Sequence, residues 1–385
     1  MSRTTRGCGC AIAVLVVLLG AGAFGFWKFG LPWLRSRPPR PSGGELQVHV
    51  LDVGPIEGDS ILIISPTGKS VLIDAGDTSK GKVVLDALKR YKVEHLNYFI
   101  ATHPHPDHIG GAAEVLKATK VDFVVDNGVD LSAPAPAAAG NKTPTKKTPP
   151  PAVVKKGKSP TGFFDQYKDA VAQTGAQYEK AEPGKKYDLG GGAILTVLAP
   201  SEPFFTKDQM KTGGNDTNAN SIVLRLDYGD FSMLFMGDAE AQTEQRLLSK
   251  NLELKATIVK IAHHGSKYAT SEDFVKRAHP EAAIISDGAW NRYGHPAQVV
   301  LDRLKAVDAK VYRTDLQGEV TITTKGRLDS AGHSCEIKTA KETKEDVWAG
   351  REAQKDDSSR TGFIAYGDFG PPPKPKQTTT KAPRH

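Results

Sequence analysis

Three histidines and one aspartate fall within six positions, His103-Pro104-His105-Pro106-Asp107-His108. Imidazole nitrogen and carboxylate oxygen together suit zinc, manganese or iron. The two prolines argue against a helix through the motif and push His103 and His105 into extended backbone. Side chains at i and i+2 of an extended segment point the same way, so His103 and His105 are expected to grip one ion. The chain must then turn, which leaves Asp107 and His108 facing a second direction. Gly110-Gly111 opens a predicted helix to about Lys117, and the free N–H groups of a helix start favour an anion beside the metal.

The motif needs elements to hold it. Leu96 to Ala101 is a short apolar run that reads as a buried strand feeding directly into it. Upstream, Leu46–Val53, Ser60–Ser65 and Ser70–Asp74 read as strands, and Gly81–Tyr91 as an amphipathic helix with Val84, Leu85, Leu88 and Tyr91 on one face. Downstream, strands are expected at Val121–Val125, Ala193–Leu198, Ile222–Leu226, Phe231–Met236, Ala256–Ala262, Ala282–Ser286, around Val311-Tyr312, and at Gly318–Thr324. Helices are expected at Phe163–Gln173, from about Glu240 to Leu248, and up to about Leu304. Strands and helices mixed in this way imply an α/β domain over residues 46–326.

The motif, with its preceding strand and following Gly-Gly helix, resembles the metallo-β-lactamase superfamily. Over about residues 46–326 the chain is similar to the hydrolase domain of ComEC-type DNA-uptake (competence) proteins. The resemblance implies a four-layer αββα sandwich with the site at the strand ends of two mixed sheets. It also implies roles for residues far from the motif. Asp74, in Asp74-Ala75-Gly76, would support the metal loop by hydrogen bonding. Asp238, in Gly237-Asp238 at the end of a buried strand, would be the carboxylate shared by both ions, and a carboxylate between two cations reduces their repulsion. The last ligand would come from His263-His264-Gly265-Ser266. Adjacent strand residues face opposite ways, so only one of the two histidines is expected to bind metal, and His264 is favoured. His263, Ser266, Asn220 of the loop Gly213–Ser221, and His295 of Asn291-Arg292-Tyr293-Gly294-His295-Pro296 are then expected around the substrate or behind the ligands. The family usually reads Gly-Gln-Gly-Asp-Ser after its first strand, whereas this chain has the longer Gly54-Pro55-Ile56-Glu57-Gly58-Asp59-Ser60.

One departure from the superfamily pattern is informative. No histidine lies between His108 and His263, where a third histidine for the first ion is usual. Asp126, Asp216, Asn218, Asn220 or water would have to substitute, and fewer strong ligands imply a weaker first site, suited to Mn as much as Zn. The expected metal ligands are therefore His103, His105, Asp107, His108, Asp238 and His264, holding two divalent ions of which the first is weak or empty. Asp107 and Asp238 are the candidate proton acceptors.

The flanks differ in character from this domain. After a basic stretch, residues 1–10, Ala11 to Trp27 is a run of 17 apolar or glycine residues, extended to about residue 34 by Phe29, Leu31, Trp33 and Leu34. It is just long enough to span a membrane, so residues 11–34 are read as an uncleaved anchor, with a cleaved signal ending at Ala21-Gly22-Ala23 as the alternative. Two Lys/Arg before the run and four after it would keep the domain in the cytoplasm, whereas the resemblance points outward, the orientation favoured. Residues 35–45 read as a linker. Residues 132–160 contain no acidic residue and six lysines from Lys142 to Lys158, a basic insertion expected to be disordered. It would serve as a solvated spacer or hold phosphate backbones. Residues 327–385 read as a polar, mostly disordered tail. The three cysteines, Cys8, Cys10 and Cys335, exclude a disulfide framework and a thiolate metal cage. A net charge of +7 is compatible with an acidic substrate or a membrane surface.

The expected function is metal-dependent hydrolysis by a metal-activated water. The resemblance points to phosphodiesters, DNA among them. Cleavage of phosphorylcholine-type esters at a cell surface is one alternative. A membrane-tethered nucleic-acid-binding subunit with a structural metal is another.

Overall fold

The computed structural model describes residues 44–129, 162–210, 214–290 and 293–353. The expected membrane segment 11–34, the insertion 132–160 and the residues from 354 onward lie outside the described residues. Among the described residues no helix is long and apolar enough to cross a membrane.

Two mixed sheets make the framework. The first contains β1 (Leu46–Val50), β2 (Ile61–Ile64), β3 (Ser70–Ile73), β4 (His95–Ala101), β5 (Lys120–Asp126) and β6 (Gln177–Lys180), and later β14 (Val320–Thr324) and β15 (Glu336–Thr339). The second contains β7 (Lys186–Gly190), β8 (Ala193–Ala199), β9 (Val223–Tyr228), β10 (Phe231–Phe235), β11 (Ile258–Lys260), β12 (Ala282–Ile285) and β13 (Lys310–Arg313). Their orders are β15-β14-β1-β2-β3-β4-β5-β6 and β13-β12-β11-β10-β9-β8-β7. Pairing is antiparallel from β15 to β3 and parallel from β3 to β6. In the second sheet it is parallel from β13 to β10 and antiparallel beyond.

Alternation within each strand divides the apolar residues between three cores. Val48, Ile73 and Ile100 of the first sheet meet Leu195, Leu224, Met233 and Ile284 of the second in a core between the sheets. Their neighbours Leu72, Phe99 and Val124 point the other way, against Val84 and Leu88 of the helix Gly81–Arg90, Val115 of the helix Ala112–Ala118, and Tyr167 of the helix Phe163–Thr174. On the far side, Leu234, Val259 and Ala283 pack against Leu247, Phe274 and Leu301 of the helices Ala241–Leu248, Glu272–Ala278 and Gln298–Lys305. The result is the α/β two-sheet fold with helices on both outer faces. Burial on both faces also explains why these strands read as continuous apolar runs.

The loops that carry polar side chains leave the carboxyl ends of β3, β4, β10, β11 and β12, all on parallel stretches. Backbone hydrogen bonds knit the loops together. Ile222 N–H donates to the Thr102 carbonyl at 2.9 Å, His263 N–H to Gly237 at 3.0 Å, and Asp59 N–H to Asp107 at 3.1 Å. Gly110 and Gly111 are needed for the tight approach of this loop to its neighbours. A Cβ at Gly110 would lie 2.2 Å from the Thr78 nitrogen, and one at Gly111 would lie 2.3 Å from the Ala75 carbonyl.

Two expectations change here. Pro106 does not exclude a helix but begins one, Pro106–Ile109, where its missing N–H would have had no partner anyway. The fold also does not end near residue 326. Strand β15 pairs with β14, and the fully buried Arg313 donates to the carbonyls of Val347 and Ala349. Arg351 bonds the Asp315 carboxylate, and its N–H donates to the Pro296 carbonyl. Residues 327–353 thus belong to the domain. They escape a periodicity reading because β15 is an edge strand whose residues are exposed or half-buried.

Candidate metal centre

Asp74 follows β3 in the left-handed region, with φ of 59°. Its fully buried carboxylate accepts from Thr102 N–H at 2.8 Å and Thr102 Oγ1 at 2.7 Å, and stands 2.7 Å from His108 Nδ1. In this contact His108 donates its Nδ1–H to the Asp74 carboxylate, which turns Nε2 inward. His264 is oriented in the same way, with Nδ1 2.9 Å from the Ser286 carbonyl.

Four donors then converge. His108 Nε2 lies 3.1 Å from Asp238 Oδ1, and His264 Nε2 lies 3.8 Å from the same oxygen. Asp107 Oδ2 is 3.2 Å from His264 Nε2 and 3.7 Å from His108 Nε2. On the other side of Asp238, His103 Nε2 lies 3.7 Å from Oδ2, and His105 Nε2 or Nδ1 joins this second set. Ligand atoms of Asp107, His108, Asp238 and His264 all lie within 4.8 Å of one another, as do those of His103, His105 and Asp238. His103 Nε2, His108 Nε2 and Asp238 Oδ1 are buried and make no hydrogen bond. Buried polar atoms are normally paired, so atoms left without a hydrogen bond in both donor groups fit cation ligands.

A third group, Asp59, Asp74 and His108, has the same spacing but a different character. Asp74 is saturated by Thr102 and His108, and Asp59 is bound to Lys260 Nζ at 2.6 Å. That group is a supporting network. It sets Asp59 Oδ1 3.7 Å from His264 Nδ1.

Electrostatics follow from burial and mutual contact. Burial pushes the Asp107 carboxyl up, but His108 and His264 hold it below the usual carboxylate range. Asp238 is likewise held well below it, burial being outweighed by four imidazoles with His108 foremost. Burial works against a charged His264, yet Asp238 and Asp107 raise it to about 10. His108 is raised well above its ordinary value by Asp238, Asp107 and Asp74 against the same penalty. Burial lowers His103, and lowers His263 to about 4. His264 therefore stabilises the metal-free fold fully below its ordinary 6.5, and that contribution fades as pH rises towards about 10. Metal uptake at pH 7.5 is expected to expel protons from His108 and His264, about two per chain. A pH indicator in weakly buffered solution would register this release, and uptake without it would contradict the assignment of these two ligands.

The pair His263-His264 is not the end of a strand. Strand β11 stops at Lys260, and both histidines adopt left-handed backbone, with φ of 49° and 53°. Strand alternation therefore does not separate them; the turn does. His264 enters the four-donor group, while His263 Nε2 stands 3.8 Å from Asp238 Oδ2 and faces a cleft of about 580 Å³. Ser266 and His295 line the same cleft. Asn220 does not. Its amide is spent on the Phe205 N–H and carbonyl and on the Asp216 carbonyl, so it shapes the loop and does not reach a substrate.

Sequence reasoning missed two buried carboxylates on the cleft, Glu57 and Glu240. Glu57 Oε2 is 3.2 Å from His295 Nδ1, and it stands in the loop that is longer than the family's usual form. Glu240 lies 3.7 Å from His263 Nδ1, and burial pushes it up to about 7. Its only signal was its position two residues beyond Asp238. Lys260 and Asp59 were also missed as a pair, being 201 residues apart.

Residues 53–176 match the model of the metallo-beta-lactamase superfamily. This region is a metallo-β-lactamase superfamily domain. Curated relatives of this chain include ComE operon protein 3 of Bacillus subtilis (strain 168), 29% identical over 306 residues that cover 74% of this chain and 34% of that protein. Competence protein ComA of Neisseria gonorrhoeae is 36% identical over 312 residues, 80% of this chain and 37% of that protein. Recombination protein 2 of Haemophilus influenzae is 29% identical over 282 residues, 72% and 28%. The chain thus spans about a third of the length of the curated relatives it matches. Among solved structures, the metallo-beta-lactamase fold protein YhfI of Bacillus subtilis aligns with a TM-score of 0.41 at 14% identity, over 70% of this chain and 95% of that one.

Proposed function

We propose that this chain is a metal-dependent hydrolase of phosphodiesters, with DNA the first candidate among them. The observation that carries the reading is Asp238, which offers one oxygen to each of two donor groups at the floor of an open polar cleft. Two divalent ions held there by His103, His105, Asp107, His108, Asp238 and His264 would lower the pKa of a water and neutralise charge on the attacked group.

The chain's own residues supply the rest. Asp107 is the most exposed of the four-donor group, its side chain 25% accessible against 2% or less for the other three. Of the two ligand carboxylates it is the more exposed to the cleft, and it would accept the proton of the attacking water. His263 and His295 also line the cleft, their rings 5.4 Å apart, and would meet a leaving group there. The exposed Lys267 at the rim provides a cation for a phosphate chain. The relatives named for competence and recombination put DNA ahead of other phosphodiesters. The apolar run from Ala11 to Trp27 supports a membrane-tethered enzyme, and the family resemblance favours this domain outside the cytoplasm.

The test is hydrolysis of a bis-aryl phosphate and of single-stranded DNA with Mn and with Zn, beside Asp107→Ala. The variant is expected to lose about a thousandfold or more in kcat/KM on both substrates. Equal rates in the two proteins would end the enzyme reading. Salt-dependent DNA binding without any turnover would favour a binding subunit instead.

A further inference from the structure

The two donor groups are unequal. Asp107, His108, Asp238 and His264 make a set of four, whereas His103, His105 and Asp238 make only three. No histidine between His108 and His263 can complete the smaller set. Asp126, Asp216, Asn218 and Asn220 are the candidate substitutes, and the structure separates these four.

Asp126 is committed elsewhere. Its oxygens accept from Tyr178 Oη at 2.7 Å, Tyr167 Oη at 3.1 Å and Gly128 N–H at 2.8 Å. Asn220 is spent on backbone groups, as described above. Asp216 opens the short helix Asp216–Ala219 and is half-buried; its charge is felt at His105, but it does not line the cleft.

Asn218 is different. It lines the cleft together with His105, Asp238 and His263, and is only 3% exposed. Its amide nitrogen lies 3.2 Å from His263 Nε2. His263 Nε2 in turn lies 3.8 Å from Asp238 Oδ2, the same oxygen that faces His103 Nε2 at 3.7 Å. Asn218 is thus linked through His263 to the Asp238 oxygen that His103 also faces. Its side-chain oxygen is buried and has no hydrogen-bond partner. A buried amide oxygen is ordinarily paired, and an unpaired one in the cleft that His105 and Asp238 also line has the chemistry of a metal donor.

We propose that Asn218, through its side-chain oxygen, is the fourth protein ligand of the ion held by His103, His105 and Asp238. This rests on the two-ion hydrolase reading and deepens it. The two ions then see different charge. One is bound by two imidazoles and two carboxylates, the other by two imidazoles, a share of Asp238 and a neutral amide. The ion beside His103 and His105 is held more weakly and is the second to load, and its hard neutral oxygen favours Mn over Zn more than the four-donor site does.

The experiment is a Mn titration of the full-length, metal-stripped protein, read by calorimetry and by the EPR signal of free Mn, so that binding and not turnover is measured. The unmodified chain is expected to take up two ions with distinct affinities. Asn218→Ala should weaken the second ion by about tenfold or more while leaving the first within about twofold. Asn218→Asp keeps the oxygen and nearly the volume, adds charge and removes the amide donor. It should bind the second ion more tightly than the unmodified chain. If the amide served only to hold His263, Asn218→Asp would fail as Asn218→Ala does, and the assignment would be overturned. An unchanged second ion in Asn218→Ala, or a loss found instead in Asp216→Asn, would also overturn it. No uptake by the unmodified chain would overturn both this assignment and the hydrolase reading, whereas two ions held with unchanged affinities in every variant would overturn this assignment alone.

Discussion

Asp238→Asn is expected to lower kcat/KM for a phosphodiester by about a thousandfold to ten-thousandfold and to release at least one ion. The substitution keeps shape and volume and removes only charge. That charge faces His108 at 3.1 Å through one oxygen and His103 at 3.7 Å through the other, in surroundings where Asp238 is 1% exposed. Without it, two cations a few ångströms apart would have no shared anion between them, and the weaker one should leave first. The carboxyl is held well below the usual range, so its ionised form stabilises the metal-free fold above the ordinary carboxylate pKa and ceases to do so as pH falls through the lowered value. Metal analysis by mass spectrometry of the purified variant, with steady-state rates on the same sample, checks the prediction. A variant that retains two ions and the unmodified rate would contradict it.

The second large effect is on stability. Lys260→Met should cost about 3–5 kcal/mol, because it leaves Asp59 charged and buried without its partner. Both side chains are 2% exposed or less, and Lys260 Nζ lies 2.6 Å from Asp59 Oδ2. Lys260 extends β11 of the second sheet, and Asp59 precedes β2 of the first, so the pair ties the sheets together beneath His264. Lys260→Met with Asp59→Asn removes both charges and should recover most of the loss, since an isolated buried ion is the costly species. Denaturant unfolding of the metal-free proteins measures both. A single variant that loses less than about 1 kcal/mol would show that the pair is not isolated from water.

The part of the site that was legible in the sequence is the part that is local. His103, His105, Asp107 and His108 carry their meaning within six positions, because an extended pair and a turn can gather donors without help from the rest of the chain. Asp74, Asp238 and His264 were placed by resemblance, since nothing in their own surroundings distinguishes them from turn residues. The layered fold was legible too. Strands buried on both faces, such as β3 and β4, leave long apolar runs, and the helix Gly81–Arg90 shows its buried face at helical spacing. What could not be read depends on contacts between distant segments or on backbone that side-chain pattern does not reveal. The left-handed turn at His263-His264 is of the second kind, and alternation along a strand was the wrong geometry for it. The Lys260–Asp59 pair, the separation of Asn218 from Asn220, and the return of residues 336–351 to the fold are of the first kind.

The central claim is that one carboxylate joins two metal sites built from these six side chains. Anomalous diffraction from crystals of the protein grown with Mn tests it most directly. The expected result is two peaks about 3.5–4 Å apart, one among Asp107, His108 and His264 and one beside His103 and His105, with Asp238 between them. A single peak, or none within this cluster, would contradict it.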